Sequence, residues 1–341
     1  MQTLKSSFGG FRRPMKKILN LLFEYNTLSA AYAKEVMMNI GKGNYTDAEV
    51  AAFVTVYLMR TITIEEITGF KNALMEMAIP ISFAADTIDI VGTGGDGKNT
   101  FNISTLASFV VAGTGNNVAK HGNYASTSIT GSSDVLQQLG YTFKTNQAAL
   151  QKELDEANIT FLHAPVFHPA LKVVSHIRKQ LGVRTLFNLM GPLVNPADPK
   201  HKILGVYNAE IGRLYNYVLQ KTDCKFSIIN SLDGYDEISL TGDTKVISTV
   251  GENIYSAYYL GKRLVTASDI SGGNSPEDAA KIFTKILKGE GTWAQNAVVL
   301  ANAAIALHTT GKYADYETCY NMVVESLESG NAFKTFKTII A

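Results

Sequence analysis

Residues 89–100 read Asp-Ile-Val-Gly-Thr-Gly-Gly-Asp-Gly-Lys-Asn-Thr, and Gly92, Gly94 and Gly97 within them spell G-x-G-x-x-G. A short apolar run, Ile88 to Val91, leads into the loop, and an apolar segment suited to a helix follows it. This is the sequence order of a dinucleotide-binding turn. In open α/β sheets, ligands sit beyond the carboxyl ends of the strands, where this loop would lie. Its glycines let backbone N–H groups approach an anion closely. A helix starting near Asn102 would add partial positive charge. Alone, the pattern fits a phosphate cradle and a tight strand-to-helix turn equally well.

Two features argue against a dinucleotide. That fold needs an acid about twenty residues on, at the end of the second strand, to grip the ribose hydroxyls. Here the corresponding run ends in Ala119-Lys120-His121, which carries positive charge. Asp96 also lies inside the loop, where a bare carboxylate would repel a pyrophosphate unless a metal ion, a ribose hydroxyl or a basic side chain intervened. No Gly-Lys-Ser/Thr closes the loop, so it is not a Walker loop either.

The surrounding chain predicts two regions. Residues 15–83 read as helical. Thr46-Asp-Ala-Glu49 and Thr63-Ile-Glu-Glu66 are capping boxes, each followed by apolar residues at helical spacing, and Pro80 closes the second helix. From about residue 86, short apolar runs alternate with helical segments: Ile88–Val91, Asn117–Ala119, Thr160–Leu162, Ile203–Val206 and Ser227–Asn230. That rhythm predicts an α/β domain with a mostly parallel central sheet. His168 to Gly182 reads as one helix, with Pro169 in its first turn and Gly182 at its end. Further helices are expected from Ser275-Pro-Glu-Asp278 and over 293–309.

Bulk properties exclude some classes. The 341 residues carry a formal net charge of +1, and no run of like charges stands out, so nucleic acid and anionic membranes are not expected partners. No apolar run is long enough to span a bilayer. Residues 1–14 lack the apolar core of a signal peptide and read as a loose tail. Cys224 and Cys319 are far apart and form no C-x-x-C, so they read as bystander thiols in a reducing compartment, with the cytoplasm as the expected location.

Two more polar loops follow the first. Asn102-Ile-Ser-Thr105 can cap a helix and offer hydroxyls to a phosphate or a hydrated metal. Lys120-His-Gly-Asn123 leads into Ser126-Thr-Ser-Ile-Thr-Gly-Ser-Ser133, a charged side chain followed by a nest of hydroxyls and amides. Three such loops within about forty residues, each ending an apolar run, are not commonplace.

Together these loops resemble the anthranilate phosphoribosyltransferase family. That family's pattern is GTGGDG, N-x-S-T, K-H-G-N and G-S-A-D. The chain carries Gly92–Gly97, Asn102–Thr105, Lys120–Asn123 and Gly131-Ser-Ser-Asp134. The likeness continues through His168-Pro-Ala, Arg178-Lys-Gln-Leu-Gly-Val-Arg-Thr, Phe187 to Pro196 and Asp236-Glu-Ile-Ser239, and covers about residues 15–330. Two positions depart from it. Tyr124 stands where many members have arginine, removing a charge near the expected diphosphate, and Ser133 replaces the usual alanine.

The resemblance implies a nucleoside phosphorylase/phosphoribosyltransferase-like fold. A small helical domain over 15–83, with helices from about 169–200 packing on it, would join an α/β domain over 84–168 and 201–341. It implies transfer of 5-phosphoribose from phosphoribosyl pyrophosphate to the amine of anthranilate, in tryptophan biosynthesis, with Mg2+ and as a homodimer. By the same match, Gly92, Thr93, Gly94, Gly95, Asp96, Gly97, Thr100, Asn102, Ser104, Thr105, Lys120 and Ser132 bind phosphoribosyl pyrophosphate. Gly92, His121, Asn123, His168 and Arg178 receive anthranilate. Ser104, Asp236 and Glu237 serve the metal. Taken bare, Asp236-Glu237 would read as a solvated turn and Arg178 as a complement to a helix dipole. No general base is expected, because an arylamine is unprotonated at neutral pH. The alternatives are a pyrimidine nucleoside phosphorylase, or a non-catalytic nucleic-acid-binding relative, which would call for a basic stripe.

Overall fold

In the computed structural model, residues 13–125 and 129–341 are described. The amino-terminal tail up to residue 12, and Ser126, Thr127 and Ser128 of the hydroxyl-rich run, lie outside them. The chain divides into two compact units, Met1–Met77 with Ala170–Leu186, and Ala78–Pro169 with Phe187–Ala341.

The first unit is helical, with helices at Met15–Phe23, Ala30–Gly41, Asp47–Met59 and Ile64–Met77. Both capping boxes form. Thr46 accepts from Glu49 N while Glu49 accepts from Thr46 N, and Thr63 and Glu66 repeat the exchange at 3.3 and 3.0 Å. Glu66 does more than cap. It is fully buried, accepts from Leu28 N at 3.0 Å, and takes both guanidinium nitrogens of Arg60 at 2.5 and 2.9 Å. Burial pushes its carboxyl up, but Arg60 and the N–H groups of Thr63 and Leu28 outweigh that and hold it below the usual glutamate value. Leaving such a buried charge without its partner costs about 3–5 kcal/mol. Gly41 also permits close packing: a Cβ there would lie 2.7 Å from the Met77 sulfur and 2.8 Å from Ala170 Cβ.

The segment expected as one helix from His168 is two. Pro169–Val173 and Ser175–Leu181 are separated at Val174, whose φ and ψ are −97° and −1°. Two adjacent β-branched residues, Val173 and Val174, stand at the break and weaken helical continuity there. The second piece ends at Gly182 with φ 64°, as the sequence predicts.

The second unit holds one seven-stranded sheet. Its strands are β1 (Ile88–Gly92), β2 (Val118–Gly122), β3 (Ile159–His163), β4 (His201–Gly205), β5 (Lys225–Ser231), β6 (Thr244–Ser248) and β7 (Gly251–Tyr255), in the order β3-β2-β1-β4-β5-β6-β7. The first five are parallel, and β6 and β7 add an antiparallel hairpin at one edge. The ladders β1–β4 and β2–β3 run five residues, but β1 and β2 share only Ile88↔Val118.

Residues 187–200, which the sequence groups with the helical domain, fall in this unit. Asn195 donates to Asp89 and to the Ala119 carbonyl there. The core forms around the helix Ile103–Gly113, which is buried from Thr105 to Ala112. A helix apolar on all sides is a central helix. Its Phe109 packs on Phe161, Phe283 and Phe336 with ring centres 5.5–5.9 Å apart. The alanine-rich helix Trp293–Thr309 is likewise buried along most of its length. No helix among the described residues is long and apolar enough to cross a membrane.

Candidate active site

Parallel strands deliver their carboxyl ends to one side of the sheet, so the glycine loop at the end of β1 and Lys120-His-Gly-Asn123, whose first three residues close β2 rather than forming a loop, share an edge. Gly94, Gly95 and Gly97 have φ of 62°, 69° and 78°, a left-handed course that residues with side chains rarely take. Thr93 N donates to the Gly205 carbonyl at 2.9 Å, and its buried Oγ1 has no hydrogen-bond partner. Asp96 Oδ1 accepts from Lys98 N at 2.9 Å, turning the loop on itself. Beyond it, Thr100 bridges to Ser271, which pins the exit of the loop.

Asp236 and Glu237 are gathered into this loop. Asp236 Oδ2 accepts from Gly94 N at 2.7 Å, and Glu237 Oε1 accepts from Ser104 N at 3.0 Å. Gly92 and Gly205 make room for them. A Cβ on Gly92 would lie 2.3 Å from Asp236 Oδ2, and one on Gly205 1.6 Å from the Asp236 carbonyl oxygen. Behind the pair, Ser231 Oγ donates to the Glu237 carbonyl at 2.7 Å, while Asn302 brackets Ile238, accepting from its N–H and donating to its carbonyl. Burial, followed by the neighbouring charge of Asp96, drives the Asp236 carboxyl upward; burial, followed by Asp236, does the same to Glu237. Buried carboxylates that repel one another make a place for a cation.

Asn102 occupies the start of the helix Ile103–Gly113 but does not cap it with its side chain. Its Nδ2 donates to the Thr130 carbonyl at 3.3 Å, and Glu237 satisfies the helix N-terminus at Ser104 instead. Thr105 is buried one residue on.

Lys120 is 2% exposed and donates through Nζ to the Ile90 carbonyl. Burial lowers its pKa to about 8, against the opposing pull of Asp89, Glu237 and Asp236. His121 is also buried. Its Nδ1 stands 3.1 Å from the Gly191 carbonyl, its Nε2 has no partner, and its ring lies 5.2 Å from that of His168. Burial, then His168, lowers its pKa to about 3, so it is a neutral ring near neutral pH. His168 Nε2 lies 2.6 Å from the Val194 carbonyl.

Asn123 is exposed and accepts from Tyr124 N at 2.8 Å, while Ser132 Oγ donates to the Asn123 carbonyl at 3.4 Å. The departing residues Tyr124 and Ser133 both meet His163: the Tyr124 ring stands edge-on to it at 4.8 Å, and Ser133 Oγ lies 2.9 Å from its Nδ1.

The second unit thus carries every site residue expected from the sequence except Arg178. That residue lies on the helix Ser175–Leu181 of the first unit, where burial lowers its pKa. Sequence reasoning did not single out Asp89, Asn195 or Asn302. The signal for Asp89 was a charged residue inside the apolar run Ile88-Asp-Ile-Val91. For Asn302 it was a polar residue in an alanine-rich helix.

Two family models match the chain: the glycosyl transferase family helical bundle domain over residues 16–78, and the α/β domain of the same family over residues 84–333. The anthranilate phosphoribosyltransferase of Christiangramia forsetii is 50% identical over 95% of this chain and 98% of its own length. The crystal structure of that enzyme from Thermus thermophilus superposes with a TM-score of 0.88 at 31% identity, covering 94% of this chain and 98% of the other. The Saccharomyces cerevisiae enzyme, in complex with phosphoribosyl pyrophosphate and magnesium, gives 0.87 at 27% identity and covers 96% of each chain.

The two glycines against Asp236 make unequal demands. Gly205→Ala meets backbone, which cannot rotate aside; it should cost about 3 kcal/mol or more. Gly92→Ala meets a carboxylate that can turn, and should leave a much higher melting temperature. Equal melting temperatures in scanning fluorimetry would contradict the packing of Asp236 between them.

Proposed function

The chain belongs to the anthranilate phosphoribosyltransferase family, and we propose that the loops at the carboxyl ends of β1 and β2, with Asp236 and Glu237, carry out that family's reaction. The reaction moves 5-phosphoribose from phosphoribosyl pyrophosphate to the amine of anthranilate, releases pyrophosphate and belongs to tryptophan biosynthesis. The observation that carries the reading is the joining of three separate sequence motifs by Asp236 and Glu237, through Gly94 N and Ser104 N.

In this reading the backbone of Gly92–Gly97 lies along the diphosphate and ribose, with Thr93, Asp96 and Thr100 as loop contacts. Asn102, Ser104, Thr105 and Ser132 supply further donors, and Lys120 supplies charge. Breaking the glycosidic bond builds negative charge on the pyrophosphate and positive character on the ribose carbon. Fixed donors aimed at the leaving group stabilise that separation without reorganising. By the family match, His121, Asn123 and His168 are assigned to anthranilate, and Arg178 to its carboxylate, which an arginine can take in a bidentate fashion. No side chain needs to remove a proton before attack, and the neutral His121 ring fits that requirement.

Magnesium serves the reaction, and the donor set suits it. Among the described residues, no group of three or more His, Cys, Asp or Glu side chains forms a protein cage for a metal. Magnesium keeps several waters and is held by one or two carboxylates with substrate phosphates, which is what Asp236, Glu237 and the Ser104 hydroxyl offer. Bound there, it would neutralise charge on the diphosphate oxygens. The same residues tie down the glycine loop and the helix start, so metal and substrate sites share their supports.

We also propose a homodimer in the cytoplasm. Phe23, Tyr25, Leu58 and Met59 of the helical unit are 45–83% exposed, an apolar set that a second copy would cover. Cys224 and Cys319 are buried free thiols, in keeping with a reducing compartment.

Loss of anthranilate fluorescence with phosphoribosyl pyrophosphate and magnesium tests the function; phosphorolysis of thymidine without that loss would favour the phosphorylase instead. Arg178→Ala should raise KM for anthranilate about tenfold or more, and KM for phosphoribosyl pyrophosphate far less. Equal changes in both would remove its assigned role. Asp236→Asn combined with Glu237→Gln should move the magnesium titration to higher concentration, and an unaltered titration would reject ligation there. Light scattering should give twice the chain mass of 37.0 kDa, and a monomer would rule out the dimer.

A further inference from the structure

Strands β1 and β2 begin as an ordinary parallel pair and then stop bonding through their backbones. Ile88 N donates to Asn117 O at 2.9 Å, and Ile88↔Val118 is their one registered pair. Continued by two residues, a parallel ladder would bring Ile90 between Ala119 and His121. The Ala119 carbonyl would then accept from Ile90 N–H, and His121 N–H would donate to the Ile90 carbonyl.

Side chains take those bonds instead. Ala119 O accepts from Asn195 Nδ2 at 2.8 Å, His121 N donates to Asp89 Oδ1 at 3.1 Å, and Ile90 O accepts from Lys120 Nζ. Asn195 Nδ2 places its other hydrogen on Asp89 Oδ2 at 2.8 Å, and Asn195 Oδ1 accepts from Ala197 N at 2.9 Å. Asp89 and Asn195 are 1% and 3% exposed.

We propose that Asp89 and Asn195 are positioning residues. They form a wedge that holds the carboxyl ends of β1 and β2 apart and fixes the Lys120-His121 backbone relative to the glycine loop. The need for such a wedge follows from the two loops. A closed ladder would bring their bases to the usual interstrand spacing of about 4.8 Å, with Lys120 expelled from between them. The wedge leaves a slot in which Lys120 Nζ is fixed within the electrostatic reach of Asp236 and Glu237. It also uses every hydrogen-bonding atom of the Asn195 amide, so neither residue tolerates the other's chemistry in its place while its partner is unchanged. The proposal rests on the transferase reading above, since it assigns the wedge to the phosphoribosyl pyrophosphate loops.

An exchange experiment separates positioning from folding. Asp89→Asn sets an amide donor against either His121 N–H or the Asn195 amide, whichever way it turns. Asn195→Asp sets two carboxylates together and strips the Ala119 carbonyl of its donor. The double exchange restores the bond between positions 89 and 195 and the bond from His121 N–H, while the Ala119 carbonyl loses its donor and faces the new carboxylate at position 195. Each single variant should raise KM for phosphoribosyl pyrophosphate about tenfold or more, with kcat per folded enzyme changed less than about threefold, and the exchange should bring KM back to within about threefold of wild type.

Single variants that lose only thermal stability, with KM unchanged, would overturn the proposal. So would an exchanged enzyme no better than the worse single. If a single variant does not fold, the exchanged protein decides: folded with near wild-type KM supports the wedge, while folded with a raised KM, or unfolded, overturns it. Wild-type enzyme assayed alongside separates the two readings, because absence of turnover there refutes the transferase and not the wedge.

Discussion

Two adjacent carboxylates held by backbone N–H groups organise the second unit. Asp236 and Glu237 follow a strand that pairs with β4, yet they bond to the glycine loop after β1 and to the first turn of the helix after it. A bond between a buried carboxylate and an N–H contributes about 1.5–3 kcal/mol. Here the gain is set against the cost of burial, which raises both carboxyl pKa values, with the charge of Asp96 adding to the rise at Asp236 and that of Asp236 to the rise at Glu237. The local fold therefore holds a repulsion that a cation relieves. It also requires glycine at Gly205, where a Cβ would meet the Asp236 backbone, and favours it at Gly92, where a Cβ would push the Asp236 carboxylate aside.

The loops themselves were legible in the sequence because their chemistry is local. Glycines that need positive φ, a lysine and hydroxyls at strand ends each announce themselves within a few residues. The five parallel strands were legible as apolar runs for the same reason. The hairpin of β6 and β7 was not, because β7, with its Glu252 and Asn253, is exposed along most of its length and carries no buried face to pattern it. The wedge was not legible because Asp89 and Asn195 are 106 residues apart and each looks ordinary alone. Asn102 misled in the opposite direction. Its position marks a helix cap, but a carboxylate from 133 residues further along takes the cap's bond at Ser104.

The departures at Tyr124 and Ser133 have a joint explanation in packing. Both touch the His163 ring, which also stacks on Phe143 at 4.3 Å. Burial lowers the pKa of His163 to about 4, so the ring beside Tyr124 is uncharged near neutral pH. Tyr124 thus supplies an aromatic contact to His163 where many family members carry a cation.

The chain passes between its two units at three places, after Met77, after Pro169 and after Leu186. The helical unit is therefore discontinuous in sequence, and Ala170, which closes against Gly41, arrives from the far side of more than ninety intervening residues. During synthesis the first four helices emerge without the piece that completes them. Gly41 already faces Met77, but its contact with Ala170 must wait until β1, β2 and β3 have been made. A gene cut between the two halves would not yield two modules, and the order of translation imposes an order of assembly in which the sheet's first strands are available before the helical unit can close.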